Sequence, residues 1–249
     1  TMPDPCWPEA VVHELPFPRG DGRVLVLSFK TAVEPKAADR MLALLDQGER
    51  ERWNRFQSAK AKDEFLAGRS LLRTVLGHAT GCCPQSLALS YNAKGRPELA
   101  HGGPAFNLSH SHGLGLLALS QSGRLGVDVE RVRAVTDLLG MACRYFTPDE
   151  VGDIVAADSS GQLDVFYRLW TRKEAFIKAH GEGVAYGLDR VQVTSGADVP
   201  PRFIRLAEGD DPAAWSLSHL DPAPGFQGAL AVDSSAAEVT CLHCPEWLA

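Results

Sequence analysis

The feature that most constrains the fold is a segregation of hydrophobic periods along the chain. Val24-Leu-Val-Leu-Ser-Phe29 is an apolar, β-branched run bounded by Asp21-Gly22 and Lys30, suited to a buried strand. From Glu34 to Gly77 the period becomes helical, with Met41, Leu44 and Leu45 on one face, Phe65, Leu66, Leu72 and Leu76 on another, and Gly77 as terminator. Strand text follows at Leu87–Tyr91, Ala105–Ser109, Leu114–Ser120 and Arg124–Glu130, interrupted by the turn Asn92-Ala-Lys-Gly95-Arg-Pro97. Helical text returns from Asp137 to His180, with a loop at 157–161 and a helix start at Thr147-Pro148-Asp149-Glu150. The remainder reads as strands at Val191–Thr194, Phe203–Leu206, Trp215–Leu220, Gln227–Val232 and Glu238–Leu242. Runs separated in this way specify an α+β fold with antiparallel sheets, not a parallel α/β sheet.

The order also reads as a duplication. Phe65 to Arg73 can be laid over Trp170 to Lys178 at an offset of 105, each following a helix and preceding strands, which matches Arg69 with Glu174 and Arg73 with Lys178. Two similar α+β halves, 1–122 and 123–249, are expected, with a site where they meet.

A hydrophobic fraction of 45% over 249 residues supplies a real core, and a formal charge of −6 argues against general nucleic-acid binding. The longest apolar runs, such as Leu114 to Leu119, are far shorter than the roughly 20 residues that cross a bilayer. With no basic and apolar leader at the start and six scattered cysteines, a cytoplasmic setting is expected. Cys241-Leu-His-Cys244 lacks the second ligand pair that a structural zinc site needs, so both cysteines are read as buried or inert.

Asp128 and Glu130 lie two apart on a strand, so their side chains share one face while Val127 and Val129 take the other. Like charges placed side by side call for a hard cation with oxygen ligands, magnesium above all. The alternative is an ordinary acidic strand end. Glu174 and Lys178 are i and i+4 on a helix whose same row carries Phe166 and Trp170, an arrangement that suits a partly buried acid better than a solvated ion pair. Ser109-His110-Ser111-His112 could suggest nucleophilic catalysis, but no Gly-x-Ser-x-Gly elbow is present, and Ser109 and His110 serve better as phosphate donors. Arg52, Arg69, Arg73, Lys94 and Arg96 supply cations.

Three stretches carry a resemblance: Phe106-Asn-Leu-Ser-His-Ser111, Gly126-Val-Asp-Val-Glu130 and Trp170-Thr-Arg-Lys-Glu-Ala-Phe-Ile-Lys178. Together with Gly95-Arg96-Pro97, Arg52 to Phe56 and Gly68 to Arg73, they resemble the 4′-phosphopantetheinyl transferases of the long, Sfp-type class. One departure is Arg96, where the family pattern has lysine. The resemblance implies a pseudo-dimer of two α+β halves with the active site between them. It also implies magnesium-dependent transfer of the phosphopantetheine arm of coenzyme A to a serine of an apo acyl or peptidyl carrier protein, releasing adenosine 3′,5′-bisphosphate. In that scheme Asp128, Glu130 and Glu174 ligate the metal, and Glu174 takes the serine proton directly or through water. Lys178 stabilises the pyrophosphate. Arg52, Arg69, Arg96, Ser109 and His110 bind coenzyme A, with Arg96 and His110 near its 3′-phosphate. The carriers would be those of fatty-acid, polyketide or nonribosomal-peptide synthesis, and a pseudo-dimer needs no second chain, so a monomer is expected. The rival is a non-catalytic coenzyme A or carrier-protein binding module of the same fold.

Overall fold

The computed structural model describes residues 15–92 and 95–244, so Lys94 lies outside it. The first half runs β1 (Arg23–Lys30), α1 (Pro35–Ala43), α2 (Gln47–Arg55), α3 (Ala59–Thr80), a small hairpin of β2 (Leu89–Tyr91) and β3 (Pro97–Leu99), then β4 (Ala105–Ser111) and β5 (Leu114–Ser120). The second half repeats that order. It runs β6 (Leu125–Arg131), α4 (Leu138–Tyr145), α5 (Pro148–Ala156), α6 (Gln162–His180), a small hairpin of β7 (Gln192–Val193) and β8 (Phe203–Arg205), then β9 (Ser216–Leu220) and β10 (Phe226–Val232). A last strand, β11 (Glu238–His243), follows.

Sheet order repeats as well. The first sheet is β11-β1-β5-β4 and the second is β6-β10-β9, so in each half the opening strand pairs with the last strand, which pairs with the one before it. These pairings are antiparallel, as the segregated runs predict. The exception is β11, which pairs parallel with β1 and so carries a segment of the second half into the sheet of the first.

The long helical runs break where polar caps intervene. Asp46 accepts a hydrogen bond from Glu49 N and opens α2, Ser58 accepts from Ala61 N and opens α3, and Thr147 with Glu150 forms a capping box at α5. Helix α3 passes through Gly77 and ends at Thr80. Gly81 adopts the left-handed conformation there (φ 70°), and its N–H closes the helix end, so the terminator is Gly81 and not the expected Gly77.

This shifts the register of the duplication. Helix α6 ends at the left-handed Gly181, so the two helices align at an offset of 100 instead of 105. The buried cations agree with that offset. Arg73 is fully enclosed and binds Glu49 and Asp46 from α2 and its cap, with the carbonyls of Pro84 and Leu87. Lys173, equally enclosed, binds Glu150 from α5 and the carbonyls of Leu188 and Val191. Each is a cation satisfied by an acid of the preceding helix and by carbonyls of the following turn, an arrangement that a buried charge requires. Thr74 and His78 therefore stand where the second half has Glu174 and Lys178. The expected pairs, Arg69 with Glu174 and Arg73 with Lys178, fail because they match cations and Leu-rich text in place of helix ends.

Each sheet has a helical side and an apolar side shared with the other sheet. Leu25, Leu27 and Phe29 of β1 pack with Met41, Leu66, Leu72 and Leu76 of the first helices. Phe166, Leu169 and Phe176 of α6 form the matching core of the second half with Ala229, Ala231 and Trp215. Between the sheets, Val24 and Val26 meet Leu116, Val127, Val129 and Leu230. Alternation thus sends the odd residues of β6 into the layer between the sheets and the even ones, Gly126, Asp128 and Glu130, toward α6.

Candidate active site

Strand β6 is an edge strand of its sheet, and β4 is an edge strand of the other. Side chains fasten them together. Asn107 Oδ1 accepts from Val127 N at 2.9 Å, Ser109 Oγ donates to Asp128 Oδ1 at 3.0 Å, and Ser111 Oγ donates to Glu130 Oε2 at 2.7 Å. These are alternate residues of β4, so one face of that strand meets the acidic face of β6. Arg96 adds a clamp. Its Nη1 donates to Lys178 O at 2.7 Å, and its Nη2 donates to Leu125 O at 3.0 Å and Phe106 O at 3.3 Å. Exposed edges are thereby satisfied without a backbone ladder.

Helix α6 brings the other two charged groups. Lys178 Nζ donates to Asp128 Oδ1 at 2.6 Å, to Ser109 Oγ at 2.9 Å and to Val127 O at 3.3 Å. Its approach depends on Gly126. A Cβ there would fall well inside contact distance of Ala175 O and Ala179 N, so only glycine lets β6 and α6 lie this close.

Burial raises the pKa of Glu174 first, the Asp128 charge raises it further and that of Glu130 adds to the rise, while Lys178 opposes it. Burial likewise lifts Glu130, against the hydrogen bond from Ser111. Asp128 is 4% exposed, and its Oδ2 is buried with no hydrogen-bond partner among the described residues. Three acids crowded together, with an unused buried oxygen among them, make a site short of positive charge. Among the described residues no three His, Cys, Asp or Glu side chains are drawn into a ready-made metal cage. The donor set, all carboxylate oxygen, nonetheless fits a hard divalent cation.

A cavity of about 220 Å³ opens between α3 and β4, and it gathers Arg52, Arg69 and His110 from three separate stretches. The Arg52 and Arg69 guanidinium groups lie 5.2 and 5.8 Å from the centre of the Phe65 ring. Glu64, 3.9 Å from His110 Nδ1, is an acid in the same cavity that no motif of the sequence flags. Ser109 and His110 are adjacent in sequence but fall on opposite faces of β4, one toward the carboxylates and the other toward the cations.

A model of the 4′-phosphopantetheinyl transferase superfamily matches residues 124–233, which hold the carboxylates and Lys178. The chain is also 34% identical over 196 residues to the 4′-phosphopantetheinyl transferase HetI of Nostoc sp., spanning 77% of this chain and 80% of that one. The chain belongs to the 4′-phosphopantetheinyl transferase family. A 4′-phosphopantetheinyl transferase of Bacillus subtilis is 33% identical over 76% of this chain and 89% of its own, and Sfp of B. subtilis strain 168 is 29% identical over 74% and 81%.

The family motifs acquire separate physical jobs in this 4′-phosphopantetheinyl transferase. Phe106 is core, Asn107 and Ser111 join the sheets, Gly126 sets the strand-to-helix distance and Lys173 holds the interior. Asn107 and Ser111 are additions to the expected site residues; they share the β4 face of Ser109, a signal that alternation alone carries. Arg96, expected to meet a phosphate, also takes on a structural job. Its two terminal nitrogens are given to carbonyls, and burial lowers its pKa. It ties α6 to β4 and β6, while its Nε is buried without a hydrogen-bond partner among the described residues. Cys244 sits in the core of the first half, and burial pushes its thiol up to about 12, the opposite of a reactive cysteine.

Proposed function

We propose that the protein transfers the 4′-phosphopantetheine arm of coenzyme A to a serine hydroxyl of an apo acyl or peptidyl carrier protein, with magnesium, releasing adenosine 3′,5′-bisphosphate. The observation that carries this reading is the meeting of Asp128, Glu130, Glu174 and Lys178 on one face of β4, with the cavity of Arg52, Arg69 and His110 on its other face. Asp128, Glu130 and Glu174 would hold the magnesium. When bound, the ion would offset negative charge growing on the leaving phosphate.

The chain's own groups account for the rest. Glu174, with its basicity raised by burial, takes the serine proton directly or through water. The serine oxygen bonds to the β-phosphorus as that phosphorus parts from the oxygen it shares with the nucleotide. Lys178 steadies the pyrophosphate oxygens, and Ser109 keeps Lys178 and Asp128 in register. Arg52, Arg69 and His110 bind the nucleotide phosphates. One chain holds both halves of the site, so the working unit is a monomer.

The test is the intact mass of apo carriers of the fatty-acid, polyketide and nonribosomal-peptide types after incubation with the protein, coenzyme A and magnesium. Gain of the phosphopantetheine mass is expected on at least one, and no gain on any would overturn the reading. Glu174→Gln should cut the rate by about 10²- to 10⁴-fold while coenzyme A still binds in calorimetry. An unchanged rate would remove Glu174 from the chemistry.

A further inference from the structure

Arg69 is oriented by groups of the protein itself on several sides of its guanidinium. Its Nε faces Glu49 Oε1 at 3.6 Å, and its Nη2 donates to the Tyr91 hydroxyl at 3.1 Å. Its guanidinium carbon lies 5.8 Å from the ring centres of both Phe65 and Tyr91. That leaves Nη1, buried and without a hydrogen-bond partner among the described residues, on a side chain that lines the cavity. A buried N–H without an acceptor costs free energy, so a guanidinium held by an ion pair at Nε and a hydrogen bond at Nη2, with Nη1 unpartnered, suits an acceptor that arrives from outside.

Tyr91 supplies much of that hold. It ends β2, on the small hairpin, and is 48% exposed. Its ring and its hydroxyl both engage Arg69, across 22 residues of sequence. Arg52 shares the Phe65 ring with Arg69, so two like charges stand around one aromatic face, where an anion would relieve their repulsion.

We propose that Tyr91 is a positioning residue for donor binding: it fixes the Arg69 fork so that Nη1 meets a phosphate of the coenzyme A donor. This rests on the coenzyme A reading under Proposed function. Arg69, the group Tyr91 holds, lines the cavity of Arg52 and His110, whereas the carboxylates and Lys178 gather on the opposite face of β4. Tyr91 therefore acts on binding and not on the transfer step.

The experiment is steady-state kinetics of Tyr91→Phe, Arg69→Lys and the double variant, using coenzyme A and 3′-dephospho-coenzyme A as donors. Tyr91→Phe keeps the ring and removes the hydroxyl. It should raise KM for coenzyme A about three- to tenfold with kcat unchanged, and add nothing in the Arg69→Lys background. If Nη1 meets the 3′-phosphate, the effect vanishes with the dephospho donor; if it meets the pyrophosphate, it persists with both. An unchanged KM, a loss in kcat alone, or full additivity with Arg69→Lys would overturn the proposal. Tyr91→Phe should also retain the wild-type Tm, which separates positioning from a folding defect. A wild-type protein that neither binds coenzyme A nor loads a carrier would overturn the functional reading itself; a competent wild type with an indifferent Tyr91 would overturn this inference alone.

Discussion

Glu174 is held in a state the free side chain would not choose. It binds its proton more tightly in the folded protein than in the unfolded chain, because burial and the neighbouring Asp128 both disfavour the charge. Such a group favours folding fully below the ordinary carboxyl value of 4.5 and loses that contribution as pH rises through the folded pKa. In chelator, Glu174→Gln should therefore melt above wild type at pH 7, with the gap closing as the pH falls toward 4.5. Calorimetric scans across that range check it, and equal melting at pH 7 would contradict the electrostatic account. The acid is thus kept against stability, as preorganised sites commonly are. At this scale much was legible: Asp128 and Glu130 share a face by alternation, and Glu174 and Lys178 share a helix row. The vacant Asp128 Oδ2 and the Ser109 contact to Lys178 were not, since both depend on which elements meet.

Among the elements, the distance between β6 and α6 decides the geometry of the site. Gly126→Ala would force that pair apart, because the new methyl meets backbone atoms of Ala175 and Ala179 that cannot rotate away. A loss of about 1–3 kcal/mol in chemical denaturation is expected, together with a fall in transfer rate, since Lys178 would move off Asp128. Arg96 makes the complementary case. Arg96→Met would strand the carbonyls of Lys178, Leu125 and Phe106, costing about 1–3 kcal/mol. Its Tm should drop, and activity should fall through displacement of α6. A raised KM for coenzyme A at an unchanged Tm would instead support the phosphate role implied by the family pattern. Helix existence was readable from period and caps, but helix ends were not: Gly77 and Gly81 both look like terminators, and only the packing of Gly77 inside the helix distinguishes them. The short β7 has a similar cause. Lys173 takes the carbonyl of Val191 and Arg172 that of Thr194, which leaves a ladder only at Gln192–Val193 of the expected strand.

At the level of the whole molecule, β11 joins the two halves. It lies parallel to β1 from Arg23 with Glu238 to Ser28 with His243, and Cys244 beyond it enters the first core. Ending the chain after residue 236 should expose the β1 edge, lower the Tm and promote association through that edge, which size-exclusion chromatography would report. A monomer with the wild-type Tm would show that β11 is dispensable.

Local pattern was enough to specify the α+β class, the duplication in outline and the identity of the charged groups, because alternation, helical period and i, i+4 spacing are properties of neighbouring residues. The register of the repeat, the parallel docking of β11, the separation of Ser109 from His110 and the commitment of Arg96 to carbonyls came only with the assembled fold. Those outcomes depend on which edges meet and which buried polar atoms must be satisfied, and such contacts join residues dozens of positions apart that no local pattern relates.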